Sequence, residues 1–207
     1  GREMGEVCRG IDEHTRRQIL HNYLNALHEL ATVEIDECDF GGLIPSSVWL
    51  QAKTWEDFLR CQLEMSLEKF GAQLAAKFPD LHRLVAQLKT QIDGPLRWSK
   101  KSLVHGDAYP NNVLIGANGE VATVLDFGRH TLLGDPRMDI AIAVELTEMA
   151  GFVPEDTTYL RELIDEDPVA ANACRAYTAI LLAAEYRYDE RIVRKCLHSM
   201  RETLDAF

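Results

Sequence analysis

Residues 102–139 read SLVHGDAYPNNVLIGANGEVATVLDFGRHTLLGDPRMD, and three polar side chains in them stand where chemistry could be done: Asp107, Asn112 and Asp126. Each lies at the end of a short apolar run beside a glycine or proline, where loop residues borne on a rigid β scaffold keep fixed positions. An amide oxygen and a carboxylate, as in Asn112 and Asp126, are hard oxygen donors. They suit Mg2+, which keeps several waters and completes its shell from substrate phosphates, and they suit zinc poorly. Asp107, five residues before Asn112, is placed to accept a proton from a hydroxyl attacking a phosphoryl group, or to orient it. Singly, such residues are ordinary turn formers; together and in this order they point to phosphoryl chemistry.

The strands that must position them are short. Period-two apolar patterning predicts strands at 102–104, 113–115 and 121–125, with Ala117-Asn118-Gly119 as the turn of a hairpin. A strict two-residue turn would set Asn112 opposite Leu125 and send Asp126 to the other face. A three-residue loop with Gly119 in the left-handed conformation sets Asn112 opposite Val124 and puts Asp126 on its face, a diagonal of roughly 7–8 Å away. The three-residue loop is therefore expected.

Around this β element the chain reads as helical. Apolar residues at 11, 19, 20, 23, 24, 27 and 30 share one face of a first helix, and 31–48, with Gly41-Gly42 and Pro45, reads as a loop. Thr54-Trp55-Glu56-Asp57 is a helix start signal for a helix to about Lys77, and Leu81, Leu84, Val85 and Leu88 make another that ends before Asp93-Gly94-Pro95. Pro136 opens a helix with Met138, Ile142, Ala143 and Leu146 on one side, and further helices are expected at about 157–165, 168–186 with Asp167 as N-cap, and 188–205. His14, His21 and His28 recur on one helix face, but two turns separate neighbours by about 10.5 Å, too far for one metal; they are expected to be structural. Trp49, Trp55 and Trp98 are expected in the core rather than around a cation.

The segment His105-Gly106-Asp107-Ala108-Tyr109-Pro110-Asn111-Asn112 resembles the H-G-D-x-x-x-x-N catalytic loop of the aminoglycoside phosphotransferase and choline kinase superfamily. Leu125-Asp126-Phe127-Gly128 is similar to that family's metal-binding segment, and Gly134-Asp135-Pro136-x-x-Asp139 to the run that follows it. Leu27-His28-Glu29-Leu30 is similar to the helix opening the C-terminal lobe. The resemblance implies a mainly α fold with a small β hairpin element (α+β), the C-terminal lobe of a protein-kinase-like fold. Residues 1–101 would form a helical part, 102–139 the catalytic loop and metal-binding hairpin, and 140–207 the C-terminal helices. It implies Asp107 as catalytic base, Asn112 and Asp126 as Mg2+ and nucleotide ligands, and His105 and Asp139 as supports that hydrogen-bond the loop backbone. Gly106 stands where many eukaryotic protein kinases carry an Arg that reads a phosphorylated loop, so that switch is not expected. The implied reaction is transfer from ATP or GTP to a hydroxyl of an aminoglycoside-, choline- or sugar-like molecule.

Such kinases carry a nucleotide-gripping β lobe before H-G-D, whereas residues 1–104 read as helices and neither G-x-G-x-x-G nor G-x-x-x-x-G-K-S/T occurs. The expectation is that this lobe is absent from the chain. With Gly1 as first residue, a fragment, a natural remnant and a lobe supplied by another chain all stay open, as does the alternative of a non-catalytic kinase-like binding module.

Composition narrows the partners. The 207 residues are 46% apolar and 27% charged, with 22 Lys and Arg against 33 Asp and Glu and a formal charge of −11. An acidic surface disfavours nucleic acid and anionic membrane, and favours a small acceptor, of cationic character if the bias is aimed at it. Acidic residues near the C-terminus, Asp165, Glu166, Asp167, Glu185, Asp189 and Glu190, offer either a solvated helix face or contacts to amines; Glu185, Asp189 and Glu190 are the candidates for the substrate side. Five scattered cysteines without a C-x-x-C pair fit a reducing cytoplasm, and the polar start holds no signal-peptide core. The oligomeric state is left open.

Overall fold

The structure, a computed structural model, describes residues 1–43, 50–150, 152–164 and 167–206. Trp49, Asp165 and Glu166 lie outside the described residues.

Local chemistry sets most helix boundaries. The short β1 (Arg2–Glu3) and α1 (Met4–Val7) precede α2 (Glu13–Ala31), whose N-cap Asp12 accepts the Thr15 N–H. Its buried face is Ile19, Leu20, Tyr23, Leu24 and Leu27, while His14, His21 and His28 face solvent. After β2 (Phe40–Gly42) and β3 (Gln51–Ala52), Thr54 caps α3 (Trp55–Lys77) by accepting the Asp57 N–H, as the start signal requires. α4 (Leu81–Ile92) leads to β4 (Ser102–Val104), a 3-10 turn at Pro110–Asn112, and the strands β5 (Val113–Ile115), β6 (Val121–Val124) and β7 (Leu132–Gly134). Then follow α5 (Arg137–Met149), α6 (Pro154–Leu163), α7 (Pro168–Glu185, capped by Asp167) and α8 (Glu190–Leu204).

The strands form two antiparallel sheets, ordered β1-β5-β6 and β3-β2-β7-β4, rather than one hairpin element. β2 lies inside the segment read as a loop. It and β3 are too short for periodicity to show. α6 starts three residues before its expected position, at Pro154.

Two cores result. One gathers α3, α4, α7 and α8 around Trp55, Leu63, Leu84, Tyr177 and Leu197; the other gathers α1, α2, α6 and β5 around Met4, Tyr23, Leu27, Val113 and Leu160. α5 feeds both, with Met138 and Ala141 in the first and Ile140, Ala143 and Val144 in the second. Trp55 is a core residue stacked on Phe58, and Trp98 packs against the same core. The segment 104–108 crosses between the cores, from Val104 in the first to Ala108 in the second. No helix among the described residues is long and apolar enough to cross a membrane.

Candidate active site

His105 leaves β4 fully buried and is held on three sides. Its N–H donates to Asp139 Oδ2 at 2.7 Å, its Nδ1 accepts the Asp107 N–H at 3.2 Å, and its Nε2 lies 2.7 Å from the Leu125 carbonyl. A carbonyl only accepts and an N–H only donates, so the ring proton sits on Nε2. One imidazole thereby ties the loop before Asp107 to the segment before Asp126. The Phe127 ring meets it edge-on at 4.6 Å.

Gly106 turns the chain with φ 77, a conformation that costs other residues, and a Cβ there would sit 2.1 Å from the His130 carbonyl oxygen. Its N–H donates to Asp139 Oδ1 at 2.8 Å, so both oxygens of Asp139, in the first turn of α5, carry the loop backbone. Burial pushes the Asp139 carboxyl up to about 6 even against these two donors. Tyr23, buried on α2, supports the loop two residues beyond Gly106 by donating its hydroxyl to the Ala108 carbonyl.

Asp107 follows, half-buried. Burial raises its carboxyl above the usual range, His130 and His105 work against the rise, and Glu185 and Asp126 add to it. Asn112 closes the loop: its Nδ2 donates to the Asp107 carbonyl at 3.0 Å and lies 3.4 Å from Oδ2 of the same residue, which leaves Oδ1 free to accept. The 3-10 turn aims this side chain through the Asn112 N–H donated to the Tyr109 carbonyl at 2.7 Å.

The hairpin corrects one expectation and keeps another. The three-residue loop forms, with Gly119 at φ 81 and Ile115 opposite Val121. A bulge between Leu114 and Ile115 then takes up Ala122, so that Val113 pairs with Val124 and the Leu125 N–H donates to the Asn112 carbonyl at 2.7 Å. Asn112 therefore faces Leu125, not Val124, and strand alternation does not bring Asp126 to its side. The backbone of Asp126 is set differently. It has left the strand and adopts φ 63, alone among the described non-glycine residues in taking a positive φ. Such a backbone is uncommon outside glycine and is concentrated at functional sites. The Asp126 carboxylate is exposed and makes no hydrogen bond or ion pair among the described residues, and its charge is felt at Asp107.

The three acidic candidates separate. Glu185, the last residue of α7, influences Asp107 and receives Arg129 Nη2 at 2.8 Å. Asp189 caps α8, accepting the Arg191 and Ile192 N–H groups, and Glu190 pairs with Arg194 one turn on. Asp135 is a structural member of its motif, fully buried and paired with Arg137, whose guanidinium also reaches the Pro95 carbonyl and stacks on Trp98. Tyr23, Arg129, His130 and Tyr186 around the site were not foreseen. Tyr23 stands on the apolar stripe of α2, but nothing in the stripe marks its hydroxyl, and the other three carry no local signal.

Short antiparallel sheets beside a helical body, with an H-G-D loop hung between them, define a kinase-like α+β fold. The comparisons agree. The profile of the phosphotransferase enzyme family (APH) matches residues 2–177, and the chain belongs to that family. A thermostable mutant of aminoglycoside phosphotransferase APH(4)-Ia in its apo form superposes with a TM-score of 0.70 at 17% identity, over 94% of this chain and 68% of that one. A protein described as a fructosamine-3-kinase from Thermobifida fusca gives 0.56 at 15% identity, over 89% and 66%. The chain thus spans about two thirds of these structures. No curated protein matches it. The family is one of phosphotransferases, and the fold agrees with it.

Proposed function

We propose that the chain is the catalytic and acceptor-binding lobe of an ATP- or GTP-dependent, Mg2+-requiring kinase that phosphorylates a hydroxyl of a small molecule. The observation that carries this reading is the Asp107 carboxyl, half-buried and raised, at the centre of a loop over-determined by Asp139, His105 and Asn112. A base needs such a position: fixed, accessible on one side, and with a proton affinity moved toward working pH. Asp107 would accept the acceptor hydroxyl's proton as that oxygen bonds to the γ-phosphorus and the bond to the leaving nucleotide oxygen breaks.

The donor set fits Mg2+. Asn112 Oδ1 and the Asp126 carboxylate are hard oxygens without partners among the described residues, and no group of three His, Cys, Asp or Glu able to hold a metal occurs there. Two protein ligands suit a cation whose remaining shell is water and nucleotide phosphate. When bound, it would neutralise phosphate charge during transfer. Asn112 and Asp126 would hold it, while His105 and Asp139 keep the loop that presents Asp107.

Solved relatives of this fold carry ADP with hygromycin B in one case and GDP in another, which supports a nucleotide donor and leaves its base open. Glu185 is the acidic candidate that would meet a cationic acceptor, since it reaches the turn after Asp126 through Arg129 whereas Asp189 caps α8 and Glu190 pairs with Arg194. Free thiols at all five cysteines fit a reducing cytoplasm. The nucleotide lobe is proposed to lie outside these residues. Calorimetric titration of Mg-ATP into this chain, and into a form extended by an amino-terminal nucleotide lobe, tests this: tight binding is expected only in the extended form. Tight binding by the 207-residue chain would overturn the division of labour, and no binding by either would favour a non-catalytic module.

A further inference from the structure

The turn after Asp126 is tied to the end of α7 by one side chain. Gly128 to Thr131 close a tight turn, the Thr131 N–H donating to the Gly128 carbonyl at 3.0 Å. The turn is seated on the catalytic loop through Thr131 Oγ1 to the His105 carbonyl and the packing of the His130 carbonyl against Gly106. From it Arg129 reaches out, giving Nε to His130 Nε2 at 2.9 Å and Nη2 to Glu185 Oε1 at 2.8 Å, with His130 Nε2 3.6 Å from the same oxygen. Glu185 is anchored at its other end, where Arg187 donates to the Ala184 and Glu185 carbonyls and stacks on the Phe70 ring at 4.2 Å. Glu185 is therefore held on an anchored stem beside the turn that packs on Gly106, next to Asp107, and its charge is met by a cation of the chain itself.

That cation is loosely held. The Arg129 side chain is 71% exposed and that of Glu185 40%, and an ion pair so open to water gains little and yields readily to a competitor. His130 adds one hydrogen bond from the side, and Tyr186, whose phenol burial and Glu185 raise, stands next in the chain.

We propose that Arg129 is a specificity-determining residue: its guanidinium occupies Glu185 in the free chain, so that an acceptor bearing its own ammonium group displaces it and a neutral acceptor does not. The proposal rests on the reading of Asp107 as the reacting centre, with Glu185 on its acceptor side. Arg129 costs a cationic acceptor part of its affinity, and in exchange compensates the Glu185 charge near Asp107 while no acceptor is bound.

The probes are two cyclitols of like size, the diamine 2-deoxystreptamine and neutral myo-inositol, titrated into the 207-residue chain and followed by NMR shifts of the Glu185 and Asp107 amides. Arg129→Gln is expected to bind the diamine up to about fivefold more tightly than the parent, the range an exposed ion pair allows. Glu185→Gln is expected to lose most of that binding, and myo-inositol should respond equally, or not at all, in all three. Overturning results are a diamine affinity unchanged or weakened in Arg129→Gln, an equal gain for myo-inositol, or no diamine response at Glu185 in any form. Because binding is read without nucleotide, the two failures are distinguishable: the expected pattern in a protein that transfers no phosphate would sink the kinase reading and leave Arg129 only as the competitor for Glu185 at a cation-binding site.

Discussion

Asp139 places a carboxylate where water cannot reach it and asks it to hold two backbone N–H groups, and the two demands conflict. Burial favours the protonated acid, but a protonated carboxyl puts a hydrogen on one of the oxygens that His105 and Gly106 need. With its folded value raised to about 6, well above that of a free Asp, the folded state binds the proton more tightly than the unfolded one. Its stabilising contribution is then complete below the unfolded value and is lost as pH rises through about 6. The loop is best made in the state that stabilises least. Two results are expected: a 13C titration of the Asp139 carboxyl with its midpoint near 6, and phosphotransfer that climbs through the same pH range. A carboxyl that titrates near the ordinary value for Asp would contradict both. Asn112 and Asp126 invite a separate test: Asp126→Ala should raise the Mg2+ concentration needed for half-maximal rate by at least about tenfold, the scale lost when a metal site is weakened. Unchanged Mg2+ dependence would remove the residue from the metal. At this scale the sequence was informative in type and order and silent on orientation. Asp107, Asn112 and Asp126 could be chosen from their motifs, whereas the left-handed backbone of Asp126 and the reach of Arg129 across to Glu185 depend on distant packing.

Elements whose ends are set by neighbouring residues were legible; those set by distant ones were not. Thr54 and Asp167 accept N–H groups three residues on, so α3 and α7 begin where the caps place them. β2 and β7 are three residues long and exist because each finds a partner far along the chain, and the two-residue β3 then forms by pairing with β2. The β5–β6 hairpin shows both cases in one element: its loop obeys local turn chemistry, and the bulge at Ala122 then undoes the register the loop implies. The junction of β7 and α5 yields a prediction of its own. Asp135 is fully buried and answered by Arg137, so Arg137→Met would strand a carboxylate in the interior. A loss of about 3 kcal/mol in urea unfolding is expected, near the lower end for breaking a buried pair because Arg137 is partly exposed. Burial raises Asp135 and Arg137 opposes the rise, so without Arg137 the folded value climbs further and the deficit should be larger at pH 8 than at pH 5. A deficit independent of pH would mean that Arg137 acts through its packing on Trp98 instead.

Over the whole molecule, α5 is the member both cores share, and it carries Asp139 to the point where the catalytic loop crosses between them. The site is therefore coupled to the integrity of both halves. Trp55 and Trp98 report on the first core, while backbone ellipticity reports on all helices, so their urea transitions should coincide. A tryptophan transition preceding the ellipticity would show that the cores unfold separately and that α5 does not bind them into one unit. The acidic surface, at −11, accords with the proposed reading, in which carboxylates would meet a small acceptor and a cation would meet phosphate. The central claim concerns one atom group, the Asp107 carboxyl, and the most direct measurement is phosphate transfer from Mg-ATP to a hydroxylated acceptor by the lobe-complete protein, parent against Asp107→Asn, both shown folded by circular dichroism. With Asp107 as base, the parent yields a phosphoester and the variant a kcat lower by about 10²–10⁴, the range a positioned general base contributes. Equal rates in the two proteins would contradict that role.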